Sequence, residues 1–145
     1  MRGETLIMLT YSARVTKEDG AYLVSFPEFP NVHTYGDTLA EALSNASEAL
    51  NGAIESDFDR GFDLPATKRR GGRAYHDVAV LPHIEIAWRL RSLRKGRSQT
   101  EIARRLNVSY QTYQKLENPR KCNPTVKTLE RIGRAFGKTL RIDFD

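Results

Sequence analysis

The octet GDTLAEAL, Gly36 to Leu43, marks where the hydrophobic period of the chain changes from two to about 3.6, and that change decides the fold class of the first half. Upstream of it, Leu9, Tyr11, Ala13 and Val15 alternate with Thr10, Ser12, Arg14 and Thr16, the pattern of a half-buried strand. KEDG, residues 17–20, supplies an Asp-Gly turn, and Tyr22, Val24 and Phe26 alternate again, so the spacing predicts an antiparallel hairpin. A third strand, Val32 to Tyr35, is expected after PEFPN, where Pro27 and Pro30 remove backbone donors and predict an irregular connection. Inside the octet Thr38 can cap a helix, with Glu41 three residues on. From there Leu39, Leu43, Ala46, Leu50, Ile54 and Phe58 form one apolar stripe, and Gly61 supplies the stop. Helix 38–60 is thus expected to cover one face of a three-stranded meander. The Pro/Gly/Arg-rich LPATKRRGGRAYHD has no period and predicts a basic linker over about 65–77. VAVL, 78–81, is read as one last strand, ended by Pro82.

At 145 residues the chain has room for one ordinary domain or two small ones, and its charge separates two parts. Residues 1–64 carry 4 Lys/Arg against 11 Asp/Glu, a net of −7; residues 65–81 are +3 and residues 82–145 are +9. An acidic first half and a basic second half imply different partners, the basic one suited to polyanions such as nucleic acid. Domains 1–81 and 82–145 are therefore expected. Cys122 stands alone and excludes an intramolecular disulfide framework, while His33, His76 and His83 lack metal-ligand spacing. No metal or cofactor is expected. Neither a glycine-rich phosphate loop nor a nucleophile elbow is present. The acids Glu28, Asp37, Glu41 and Glu48 could open a metal-nuclease site, but Glu41 already serves a cap and no second acid cluster follows, so a non-enzyme is expected. No apolar run approaches the roughly 18 residues of a membrane span, and MRGETLIMLTY lacks the pattern of a secretory signal, which predicts a cytoplasmic protein with no membrane partner.

From His83 onward the periodicity is helical. Ile86, Leu90 and Leu93 form a stripe broken at Gly96, and Ser98 caps a second helix with Glu101 in the capping-box position. A third helix starts at Ser109, and a fourth is expected with Asn123 as N-cap, Pro124 in its first turn and Gly137 at its end. TLRIDF alternates once more, so Leu140, Ile142 and Phe144 predict a short terminal strand with an open edge, paired either with its symmetry mate in the expected homodimer or within its own chain.

Residues 98–117 place two short helices around a tight turn, with Ile102, Ala103, Leu106, Val108, Tyr113 and Leu116 where apolar contacts are needed; small Ala103 lets the axes approach. At 100° per residue, Tyr110, Gln111, Gln114, Lys115 and Asn118 share one arc, opposite Tyr113 and Leu116. Glutamine matches adenine N6 and N7, and lysine can donate to guanine O6 and N7. Arg97, Arg104, Arg105, Arg120 and Lys121 stand ready for phosphates on either side, and Gln99 for a further backbone bond.

The stretch SQTEIARRLNVSYQTYQKLENPRKCNPTVKTLERIGRAFG resembles the lambda-repressor-like (xenobiotic-response-element) helix-turn-helix family at Gln99, Ala103, Leu106, Val108, Ser109, Glu117, Asn123-Pro124, Leu129 and Ile132. The resemblance implies that Ser109, Tyr110, Gln111, Gln114 and Lys115 read bases from a recognition helix, with Gln99 and Asn118 near the DNA backbone. Asn107 departs from the usual turn glycine, but asparagine tolerates positive φ.

The first half has a resemblance of its own. EDGAYLVSFPEFPNVHTYGDTLAEALSNASEAL is similar to the HicB antitoxin family, whose hairpin ending in Phe-Pro, Gly-Asp-Thr helix entry and Asn-Ala-Glu-Ala-Leu-type helix are matched at Phe26, Pro27, Gly36, Asp37, Thr38, Asn45, Ala46, Ala49 and Leu50, among others. What this implies is an α+β chain: a β-β-β-α-β partial ribonuclease H-like domain without catalytic activity, joined to an all-helical helix-turn-helix domain. It also implies the partners, a HicA-like mRNA-cleaving toxin and operator double-stranded DNA. Candidate toxin-facing acids are Glu28, Asp37, Glu48 and Glu55. A type II antitoxin that represses its own operon is the leading expectation; a one-component regulator with a ligand-sensing first domain is the alternative.

Overall fold

The computed structural model of the chain describes residues 9–144. It divides into two compact units, one ending at Leu81 and the other beginning at Pro82.

In the first unit the period-two segments form strands Thr10–Glu18 (β1), Ala21–Phe26 (β2) and Phe29–Gly36 (β3), followed by helix Leu39–Asp59 (α1) and strand Tyr75–Ala79 (β4). The sheet order is β3-β2-β1-β4, and every neighbouring pair is antiparallel. Asp19 and Gly20 join β1 to β2 with φ of 51° and 81°, the positive values that a two-residue hairpin turn of matching twist needs. The expected irregular connection at PEFPN is instead a tight hairpin, with Phe26 paired to Phe29 across Pro27 and Glu28. The irregularity sits in the register: one step along β2, from Ser25 to Phe26, matches four along β3, from His33 to Phe29. Pro30 falls inside that slip, where no ladder donor is required of it.

Helix α1 begins where Thr38 Oγ1 accepts the Glu41 N–H at 3.1 Å. It ends in a Schellman closure, Gly61 N–H to Phe58 O at 3.0 Å and Phe62 N–H to Asp57 O at 2.9 Å. Its buried line is Ala42, Ala46, Leu50 and Ile54, while Leu39 lies at the margin with 36% exposure. Two alanines at the start of that line let the helix lie very close to the sheet, and Gly36 shows how close: a Cβ added there would stand 2.4 Å from Ala42 N.

Because α1 runs back along the sheet, a β4 antiparallel to β1 can start only after the chain has travelled the sheet's length again. Residues 60–74 make that return, and they are strapped down rather than free. The Tyr11 hydroxyl donates to Pro65 O at 2.6 Å, and Val15 N–H to Ala74 O at 2.7 Å. Arg70 Nη2 stands 3.5 Å from Glu28 Oε1, and its guanidinium lies 5.9 Å from the Tyr75 ring centre. The stretch expected as a basic linker within the 1–81 domain is thus fastened to that domain's sheet. This corrects Glu28 as well, which is withdrawn to 9% side-chain exposure against Arg70. Asp37 and Glu48 are exposed, and Glu55 is half-buried.

Asn51 is a buried polar residue on α1, 4% exposed, and its amide is fully used. Nδ2 donates to Ser47 O at 2.9 Å and Ala79 O at 3.2 Å, and Oδ1 accepts the Leu81 N–H at 2.8 Å. One side chain therefore secures the end of β4, an edge strand whose outer backbone groups would otherwise be unmet. Asn51→Leu is expected to destabilise the first unit by about 2–3 kcal/mol, since it orphans a buried donor and acceptor together; a urea titration of the full chain checks this.

The second unit holds helices Pro82–Arg94 (α2), Gln99–Leu106 (α3), Tyr110–Leu116 (α4) and Val126–Ala135 (α5). Leu90, Ile102, Ala103, Leu106, Tyr113, Leu116 and Ile132 form its core, with Leu129 and Phe136 packed against it. The N-cap of α5 is Thr125, not Asn123: Thr125 Oγ1 accepts the Thr128 N–H at 3.1 Å. Pro124 disfavours helical backbone at Asn123, and the cap falls two residues later. Residues 138–144 take no regular secondary structure, so the expected terminal strand is not formed within the single chain.

Candidate nucleic-acid interface

Two caps and one left-handed residue set the helix-turn-helix. Ser98 Oγ accepts the Glu101 N–H at 3.0 Å to start α3. Asn107 ends it at φ 56°, ψ 45°, and the next residue turns back at once, Val108 N–H bonding Ala103 O at 3.0 Å. Ser109 then caps α4, accepting the Thr112 N–H at 3.1 Å. The short turn makes the α3–α4 crossing close, which 3%-exposed Ala103 permits.

On α4, Tyr113 is wholly buried and Leu116 nearly so, which leaves the opposite side to solvent. Tyr110 is 42% exposed, and Gln111, Gln114 and Lys115 are exposed beside it. Thr112 shares the exposed side and had not been singled out by the arc; its hydroxyl accepts from Ser109 at 2.8 Å. Ser109 is therefore engaged in capping. Around the helix, Arg97, Arg104, Arg105, Arg120 and Lys121 are exposed cations. Asn118 is half-buried, and its Oδ1 accepts the Arg120 N–H at 3.0 Å, so its side chain shapes the loop that presents Arg120 and Lys121.

Beneath the arc lies a buried ion pair that sequence reasoning missed. Glu117, the C-cap of α4, accepts two bonds from Arg94 of α2, at 2.6 Å from Nε and 2.9 Å from Nη2. Gln99 Nε2 donates to the same carboxylate at 3.3 Å, which draws Gln99 toward the interior rather than fully outward. Arg94 Nη1 also donates to Arg97 O at 2.8 Å. One guanidinium thus ties α2 to the end of α4 and to the loop before α3. Only the family position of Glu117 hinted at this in the sequence; Arg94 looked like one cation among many.

Burial first, and then the Glu117 carboxylate, raise the Tyr113 phenol above its ordinary 10.0. In the first unit burial and then Glu28 raise Tyr11 likewise, and burial pushes the Cys122 thiol from 9.0 up to about 11. All three are held neutral when folded. Their stabilisation is complete below the ordinary value and is lost as pH rises through the folded one, so thermal stability should decline from pH 9.0, where Cys122 ionises in the unfolded chain but not in the folded one, and more steeply from 10.0, where the same holds for both phenols. Thermal melts at rising alkaline pH check this; a flat melting temperature would contradict it.

Among the described residues no group of three or more His, Cys, Asp or Glu is placed to hold a metal, and no helix is long and apolar enough to cross a membrane. Comparison with known proteins gives each half a relative. Residues 10–81 match the family described as HicB_like antitoxin of bacterial toxin-antitoxin system, and residues 90–142 match the helix-turn-helix family. Antitoxin HicB of Pseudomonas fluorescens is 36% identical over 74% of this chain and 74% of its own length. Antitoxin HicB 1 of Photorhabdus laumondii is 30% identical over 88% of this chain and 81% of its own. The chain belongs to the HicB antitoxin family. The crystal structure of the N-terminal domain of Burkholderia pseudomallei antitoxin HicB is 28% identical, with a TM-score of 0.45, over 50% of this chain and 99% of that one.

This HicB-family chain is thus a mixed α+β antitoxin with a helix-turn-helix DNA-binding domain, and α3 and α4 both lie within the residues that match the helix-turn-helix family.

Proposed function

We propose that the first unit binds and blocks a HicA-like mRNA-cleaving ribonuclease toxin, and that the second unit, as a homodimer in the cytoplasm, binds a two-fold operator of the chain's own operon. The observation that carries the DNA half is α4, an exposed arc of Tyr110, Gln111, Gln114 and Lys115 held over buried Tyr113 and bordered by exposed Arg97, Arg104, Arg105, Arg120 and Lys121. Amides and a lysine can read base edges in the major groove, while the flanking cations meet phosphates. Helix-turn-helix readers address half-sites about one helical turn apart, which calls for two copies.

The toxin half rests on family membership and charge. A ribonuclease that holds polyanionic RNA is basic, and residues 1–64 carry −7. Their exposed acids include Asp37 at the entry of α1 and Glu41 and Glu48 on its outer side, seven residues apart and so on one face. Co-expression with a HicA-like toxin, followed by co-purification and operator binding, tests both halves. Growth arrest that this chain fails to relieve would overturn the toxin half.

Gln111→Ala is expected to change operator preference at one base position by about 1–3 kcal/mol, whereas Arg97→Ala should weaken all sequences alike and reduce the salt slope by about one. Binding assays on an operator variant panel at several salt concentrations separate the two. Equal weakening of every sequence by Gln111→Ala would remove its base-reading role.

A further inference from the structure

Two hydroxyls stand at the start of α4, Ser109 and Thr112, and the direction of the bond between them decides which can meet another molecule. Ser109 Oγ accepts the Thr112 N–H at 3.1 Å and gives its own proton to Thr112 Oγ1 at 2.8 Å. A serine hydroxyl has a single proton, so Ser109 keeps no donor for a ligand. Thr112 is in the opposite state. Its oxygen accepts from Ser109, and among the described residues no group of the chain takes the Thr112 proton. Thr112 is exposed, so that O–H points away from Ser109 into solvent. Accepting a bond also polarises a hydroxyl and makes it a stronger donor.

The helix sets where this donor faces. With Tyr113 and Leu116 buried, Gln111 and Lys115 point most directly outward. At one residue per 100°, Thr112 and Gln114 lie about 80° to either side of that line, so Thr112 is as well placed as Gln114. Its β-carbon carries a hydroxyl and a methyl together. Only one base edge in the major groove matches that pair: thymine shows an acceptor, O4, beside its C5-methyl. Adenine and guanine offer acceptors but no methyl, and cytosine offers an amino donor without one.

We propose that Thr112 is a base-reading residue of α4 and selects thymine at one position of each operator half-site. Its hydroxyl donates to O4 and its methyl packs against the C5-methyl. This rests on the DNA-binding reading above and adds to it a residue and a base. Family resemblance implied Ser109 as a reader and passed over Thr112; the direction of the bond between them exchanges those roles.

The probe is the duplex upstream of this chain's own reading frame, with each base pair of one half-site changed in turn. Each thymine is also replaced by uracil, which lacks the methyl, and by 5-methylcytosine, which keeps the methyl but sets an amino donor in place of O4. The full-length chain is compared with Thr112→Val, Thr112→Ser and Ser109→Gly. At one half-site position the parent should prefer thymine to uracil by about 4-fold, the worth of one buried methyl, and to 5-methylcytosine by roughly 10-fold. Thr112→Ser should lose the first preference and keep the second, and Thr112→Val should do the reverse. Ser109→Gly should leave the choice of base unchanged, since glycine at an N-cap costs little and Ser109 has no proton to offer. Thermal melts should show Thr112→Val as stable as the parent, because Thr112 is exposed and its N–H still reaches the Ser109 cap.

Other outcomes overturn the proposal in different ways. Thr112 variants that weaken every duplex alike would make the residue a backbone contact. Thr112 variants that discriminate as the parent does, while Gln111→Ala still changes preference, would discard Thr112 and keep α4 as the reading helix. A preference lost in Ser109→Gly alone would return the role to Ser109. A parent chain that binds the duplex no better than an unrelated one would remove the DNA-binding reading itself.

Discussion

Glu117→Gln is expected to lower the stability of the second unit by about 2–3 kcal/mol, a little under the range for a fully buried pair because Arg94 keeps 21% exposure. The substitution preserves shape but leaves the Arg94 guanidinium facing a neutral amide, which has one acceptor oxygen where the carboxylate offered two and turns an N–H toward the other guanidinium donor. For a unit of this size the melting temperature should fall by about 10–20 °C. Operator affinity should fall with it, since Glu117 caps the helix that carries Gln111 and Lys115. Calorimetry of the full chain reads the first effect and a binding assay the second. The double change Arg94→Met with Glu117→Leu should recover most of the stability, because removing both charges removes their desolvation cost. A Glu117→Gln variant that melts with the parent would show the pair to be dispensable.

Gly36→Ala is expected to disrupt the first unit by about 3 kcal/mol or more, at the upper end of overpacking costs. The added carbon would meet Ala42 N at 2.4 Å, Ala42 Cα at 2.8 Å and Glu41 C at 2.9 Å. These are backbone atoms of the first turns of α1, and a helix cannot swing aside as a long side chain can. Either α1 lifts from the sheet, opening the contacts of Ala42 and Ala46, or the end of β3 frays. Gly52→Ala supplies the control. Nothing lies within 4 Å of its added carbon, and in mid-helix it should be neutral or stabilising by about 0.5–1 kcal/mol. A Gly36→Ala chain as stable as the Gly52→Ala chain would refute the steric argument.

Much of this was legible in the residues before any coordinates. The strands before Gly36 and the helices after Pro82 follow from hydrophobic period, and the caps at Thr38, Ser98 and Ser109 sit where their side-chain chemistry requires them. Tyr113 was read as core and Tyr110 as surface from the helical angle alone, and their exposures, 0% and 42%, follow that angle. Asn107 adopts φ 56° because asparagine is among the few side chains that tolerate a glycine-type turn position.

Other features could not be read in that way, because they depend on which distant residue arrives. Glu28 looked like a solvated acid until the return stretch brought Arg70 alongside it, 42 positions away in sequence. The basic run 68–73 looked like a linker because local composition cannot see Tyr11 reaching Pro65. The apolar stripe of α1 was centred too near Leu39, since only the sheet it meets decides which flank of an alanine-rich helix is covered.

The sequence by itself determined the order of elements, the charge division between the halves, the helix-turn-helix and the side of α4 that faces out. Those properties depend on neighbours within one or two turns of chain, where side-chain chemistry and backbone period act directly. Only the tertiary structure decided the direction of β4, the work of Asn51 and the Arg94–Glu117 tie. Each of these joins groups far apart in the chain, and their energies come from mutual burial and paired hydrogen bonds that no local pattern encodes.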